Sequence, residues 1–120
     1  ERPTTLAAGL RVPSPFAGRQ MLSVLRETRG DALAVSDAAI VDAQRLLARL
    51  EGLWTAPEAA ATLAALLLLK ERGVLEAGAR IVLVLTGAGI KNEPPALPAP
   101  TDLAGSDDEV LAEVQRALGR

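Results

Sequence analysis

At 120 residues the chain has room for one domain, and two complete globular domains would be cramped. It is 49% hydrophobic but only 2% aromatic, so any core must be assembled mainly from Leu, Ala, Val and Ile. A formal charge of −2, from 15 acidic and 13 basic residues without a dense basic patch, argues against a nucleic-acid partner; the absence of Cys and His removes disulfides, thiolate catalysis and thiolate or imidazole metal ligands.

In chain order, the first fifteen residues read as irregular, interrupted by Pro3, Gly9, Pro13 and Pro15. From Phe16 to Thr28 the apolar residues Phe16, Met21, Leu22 and Leu25 fall at the spacing of one helical face, with Arg19, Gln20, Arg26 and Glu27 between them and Gly30 as the stop. Ala32 to Val35 reads as a short strand. Ser36 then offers a side-chain oxygen to cap a helix whose first turn carries Asp37. Ile40, Ala43, Leu47 and Leu50 form its apolar stripe, with Asp42, Arg45 and Arg49 on other faces and Gly52 at its end.

Leu53-Trp54-Thr55 is a short extended connection, and Pro57 suits the first turn of the next helix, where its missing N–H has no partner to lose. From Glu58 to Lys70 that helix is apolar around nearly its whole circumference and calls for neighbours on more than one side. Its run Ala59 to Leu69 is too short to span a membrane, and the opening residues lack a signal-peptide core, so the expectation is a cytoplasmic protein without a membrane partner. After a turn region from Gly73 to Gly78, the continuous run Ile81-Val82-Leu83-Val84-Leu85 predicts a strand covered on both faces. Thr86-Gly87-Ala88-Gly89 follows it. Asn92 to Pro100 contains four prolines and reads as a stiff linker. The last helix opens on the capping-box pattern Ser106-x-x-Glu109 and continues through Val110, Leu111, Val114 and Leu118.

The predicted fold class is therefore α/β: a partial three-layer sandwich with parallel strands flanked by helices. Residues 1–92 form its body, 93–105 a Pro-rich linker and 106–118 a terminal helix. A small helical domain with a strand pair is the alternative. Two strands offer too little sheet to cover the Ala59 to Leu69 helix, which points to partner structure beyond this chain.

The sharpest chemical feature is Leu85-Thr86-Gly87-Ala88-Gly89-Ile90-Lys91. Loops at strand ends collect ligands, small glycines allow close backbone approach, and Thr86 brings one neutral hydroxyl. The spacing of Gly87 and Gly89 matches only part of a dinucleotide loop, so a structural strand exit remains open beside a ligand site. Asp31, Ser36 and Asp37, and likewise Asp107, Asp108 and Glu109, are explained as element boundaries and helix caps. Lys91 reads as a solvent-facing cation, and Trp54 and Phe16 as core or interface fillers.

Val35-Ser36-Asp37-Ala38-Ala39-Ile40, Arg49-Leu50-Glu51-Gly52, Pro57 and Leu85-Thr86-Gly87-Ala88-Gly89-Ile90-Lys91-Asn92 together resemble the end of the threonine synthases. These are pyridoxal-phosphate enzymes of the tryptophan synthase β-like group, and the resemblance covers about residues 9 to 92. It implies a C-terminal portion of a larger fold that converts O-phosphohomoserine and water to threonine and phosphate. Thr86 would face the pyridine nitrogen of pyridoxal phosphate, with Gly87 and Gly89 letting the loop pass close to the ring. The Schiff-base lysine and phosphate-binding loop of the resembled enzymes have no counterpart here, Lys70 and Lys91 standing in the wrong contexts. No catalytic residue and no metal ligand is assigned, and the isolated chain is expected to be inactive.

The partners implied are the missing N-terminal portion, further copies in a homo-oligomer and a phosphorylated amino-acid substrate. One departure stands out: where such enzymes commonly read Gly-Ile-Phe-Val-Glu-Pro-Ala-Gly-Ala, this chain reads Gly52-Leu53-Trp54-Thr55-Ala56-Pro57-Glu58-Ala59-Ala60, with Ala56 at the Glu position. A serine or threonine dehydratase of the same cofactor group, and a non-catalytic oligomerisation module, are the competing readings.

Overall fold

The computed structural model describes residues 4–92 and 105–119. Its helices are α1 (Gly18–Thr28), α2 (Asp37–Glu51), α3 (Pro57–Glu71) and α4 (Asp107–Ala117), with short 3-10 turns at Ala8–Leu10 and Gly89–Lys91. The predicted linker falls on residues 93–104, outside the described residues, except for Gly105.

Helices α2 and α3 form the packed unit. Ser36 Oγ accepts the Ala39 N–H at 3.2 Å, satisfying one of the free amides at the start of α2, while Pro57 occupies the first turn of α3. At the other ends, Gly52 (φ 67°) and Gly73 (φ 66°) take the left-handed conformation that closes a helix C-terminus. They let Leu53 N–H reach Leu47 C=O and Val74 N–H reach Leu69 C=O. Helix α1 ends the same way but on Arg29 (φ 54°), one residue before the glycine predicted as its stop.

The core between α2 and α3 is built from small side chains. Ile40, Ala43, Ala60 and Ala64 are buried together with Ala7, and Val35, Ala39, Ala61 and Leu63 pack against them. Ile40 is the largest fully buried side chain, an anchor of about 1.5–3 kcal/mol. Ala7 reaches this core because two acidic side chains hold its segment on the helix N-termini. Asp37, in the first turn of α2, accepts from the Thr5 hydroxyl and from Leu6 N–H at 3.0 Å; Glu58, in the first turn of α3, accepts from Gly9 N–H at 2.6 Å.

The predicted α/β sandwich with parallel strands is not formed. Among the described residues there is no strand and no sheet, only one isolated antiparallel bridge, Thr55 to Ala88. A strand exists through its ladder partner, and neither Ala32–Val35 nor Ile81–Leu85 has one among the described residues. Nor is the second run covered on both faces: Ile81, Val82 and Val84 are exposed, and only Leu83 and Leu85 are half-buried.

Candidate functional site

The turn after Leu85 is held by the segment between α2 and α3. Ala56 N–H donates to Gly87 C=O at 2.9 Å and Gly89 N–H donates to Trp54 C=O at 2.9 Å, leaving Thr55 and Ala88 directly opposite as a non-hydrogen-bonded pair. Residues opposite each other in such a pair share a face, so Trp54 and Ala56 lie over Gly89 and Gly87, while Thr55 shares its face with Ala88.

The two glycines are explained by that pairing. A Cβ added to Gly89 would stand 2.4 Å from Trp54 Cδ1 and Nε1 and 2.7 Å from the Thr55 carbonyl oxygen. One added to Gly87 would meet Ala56 Cβ at 3.1 Å. The close approach that the sequence suggested for a ligand is therefore made by the chain's own Trp54-Thr55-Ala56 segment. Thr86 and Ala88 alternate onto the opposite face and are exposed, continuing the exposed row of Val82 and Val84.

Behind the turn lies a polar pair that sequence reasoning missed. Gln44 of α2 is buried and its amide Nε2 donates to the Thr55 carbonyl at 2.8 Å. Thr55 is buried as well, and its hydroxyl has no partner among the described residues. The signal was present in the spacing: Gln44 sits four residues after Ile40 and three before Leu47, on the stripe assigned to the core.

The remaining candidates disperse. Lys91 and Lys70 are exposed, at the end of the 3-10 turn and in the last turn of α3. Asp31 accepts the Ala32 N–H at 2.8 Å, and Asp107 and Asp108 lie in the first turn of α4. Phe16 is fully exposed, contrary to a core role within this chain, whereas Trp54 is half-buried on Gly89. Glu58, two positions past the expected acid, is committed to Gly9 and does not stand in for it. Among the described residues no group of His, Cys, Asp and Glu could hold a metal ion.

An open cleft of about 470 Å³ lies beside the turn, lined by Trp54, Ala88, Gly89, Ile90 and Asn92. Larger clefts run along α3 between Ala34 and Arg72 and under α1, but neither is lined by Thr86, Gly87 or Gly89. The turn offers one exposed neutral hydroxyl, on the same side as Val82, Val84 and Ala88. That donor set suits an uncharged heteroaromatic nitrogen at the edge of a flat ring, as in pyridoxal phosphate, and supplies neither a phosphate cradle nor an amine placed for covalent attachment.

Comparison with known proteins identifies a family for the chain. Residues 1–87 match the family described as pyridoxal-phosphate dependent enzyme. The chain is similar to the threonine synthase of Methanocaldococcus jannaschii, 37% identical over 99 residues, covering 82% of this chain and 24% of that protein. It is also similar to the threonine synthase of Synechocystis sp., 40% identical over 90 residues, covering 75% and 23% of the two chains. With that of Mycobacterium tuberculosis it shares 35% identity over 95 residues, covering 79% and 26%. It thus spans about a quarter of the length of the curated relatives it matches.

Proposed function

The chain belongs to the family of pyridoxal-phosphate dependent enzymes, and we propose that it is the part of a threonine synthase that forms the ring-nitrogen wall of the cofactor site. The observation that carries the reading is the exposed Thr86 beside a turn whose other face is closed by Trp54 and Ala56. Pyridoxal phosphate supplies, when bound, the electron sink for bond breaking next to the amino group of the substrate. Thr86 would donate a hydrogen bond from its neutral hydroxyl to the pyridine nitrogen, keeping its own proton, so that the nitrogen would stay unprotonated. Gly87 and Gly89 let the turn pack closely on Trp54-Thr55-Ala56, and that packing would set where Thr86 meets the ring. The lysine that anchors the cofactor and the loop that binds its phosphate come from the rest of the protein, so the 120-residue chain alone does not catalyse.

The reaction proposed for the whole protein is the conversion of O-phosphohomoserine and water to threonine and phosphate. The reading carries with it a cytoplasmic setting and assembly with other chain segments or copies. Unpaired extended runs and exposed apolar side chains support that assembly. No helix among the described residues is long and apolar enough to cross a membrane.

Turnover of O-phosphohomoserine, threonine and serine by the full-length protein tests the substrate. Phosphate release coupled to threonine formation is expected. Deamination of threonine or serine with no reaction of O-phosphohomoserine would replace the synthase reading by a dehydratase.

A further inference from the structure

We propose that Gln44 is a positioning residue for the cofactor wall, a role that rests on the reading of Thr86 above. Gln44 is buried on the apolar stripe of α2, where an uncharged amide without partners would be destabilising. Its amide meets a need of the Thr55 carbonyl, which requires a donor. In a non-hydrogen-bonded pair the backbone groups of the central residue point away from the facing segment, so Ala88 cannot satisfy that oxygen. Gln44 Nε2 reaches it at 2.8 Å.

The consequence passes along the chain by hydrogen bonds already described. Gln44 fixes the Thr55 carbonyl, and the neighbours of Thr55 fix the turn through Ala56 N–H to Gly87 C=O and Gly89 N–H to Trp54 C=O. Thr86 immediately precedes that clamped turn. Helix α2 thereby sets the depth and register at which the Thr86 hydroxyl is presented, from a side chain that touches neither cofactor nor substrate. Shape alone does not explain the amide, since an aliphatic side chain of equal length would fill the same volume and leave the carbonyl unpaired.

The test uses the full-length protein and pyridoxal phosphate as the probe, reading its dissociation constant and the position of its visible absorption band. Gln44→Met keeps length and removes the donor. Cofactor binding is expected to weaken by about three- to tenfold, the range of one neutral hydrogen bond, with a displaced band. Gln44→Glu returns a donor only while its carboxyl is protonated, which burial favours. Its affinity, relative to the unsubstituted protein at the same pH, is expected to recover as pH falls from about 8 to about 6. Should Gln44→Met fail to fold, the pH series of Gln44→Glu decides alone.

Wild-type affinity and band in both variants would overturn the inference, as would equal losses in both without pH-dependent recovery, the behaviour of a group that matters only for packing. Thr86→Val separates this from the underlying reading. If it changes the band while the Gln44 variants do not, only the role of Gln44 falls. If it changes nothing, the cofactor wall itself is wrong and the role of Gln44 falls with it.

Discussion

Gly89 carries the clearest steric statement in the molecule. Its φ is not in the left-handed region, so the need for glycine is one of space: the Trp54 indole and the Thr55 carbonyl occupy the volume of a Cβ. Gly89→Ala is expected to destabilise the chain by about 1–3 kcal/mol, the usual range for overpacking, because backbone as well as side chain blocks the methyl group. Gly87→Ala, facing only Ala56 Cβ at 3.1 Å, should cost less. Denaturant unfolding of the two variants checks the order; equal stabilities would show that the 54–56 and 87–89 segments are not clamped as described. Ala56 supplies the small face that Gly87 packs against, and its N–H bonds the Gly87 carbonyl, so the two segments are in direct contact there.

At the scale of elements, helix ends were the most legible features, because capping chemistry is local. Ser36, Gly52, Pro57 and the Ser106 to Glu109 box all act where the sequence placed them. Glu109 accepts from the Ser106 backbone N–H at 2.7 Å and from its hydroxyl at 3.0 Å, and these bonds hold its carboxyl below the usual value of 4.5. A carboxyl depressed in the folded state contributes stability above its unfolded value and loses it as pH falls through the folded one. The N-terminal turn of α4 is therefore expected to stay formed at neutral pH and to loosen only below about pH 4.5. Residue-resolved NMR shifts of Ser106 and Glu109 across that range check it; fraying at neutral pH would contradict it.

Strands were the failure, for a non-local reason. The aliphatic run Ile81–Leu85 predicts a strand covered on both faces, yet it has no ladder partner among the described residues and Ile81, Val82 and Val84 are exposed, because hydrogen-bond and packing partners lie outside what a local pattern can specify. The spacing places Gln44 on the apolar stripe of α2, but its role follows only once its acceptor, the Thr55 carbonyl eleven residues away, is known. Within the site, Thr86, Gly87 and Gly89 were picked out by their position after an extended run, whereas the clamp that orders them depends on the tertiary contact with Trp54-Thr55-Ala56.

On the scale of the whole molecule, the α2–α3 unit buries mostly alanines, while Phe16, Val82 and Ile90 stay largely exposed. The Cα radius of gyration is 19.3 Å, against about 14 Å for a compact domain of this length. Both observations suit a chain whose apolar surfaces are completed by other structure, in keeping with its span of about a quarter of its relatives. That structure would also bring the lysine and phosphate loop to the Thr86 face. The most direct measurement is the visible spectrum of pyridoxal phosphate on the full-length protein, with and without Thr86→Val. A bound-cofactor band is expected that shifts, with weaker binding, when the hydroxyl is removed. A full-length protein that binds no pyridoxal phosphate, or whose band and affinity ignore the loss of that hydroxyl, would contradict it.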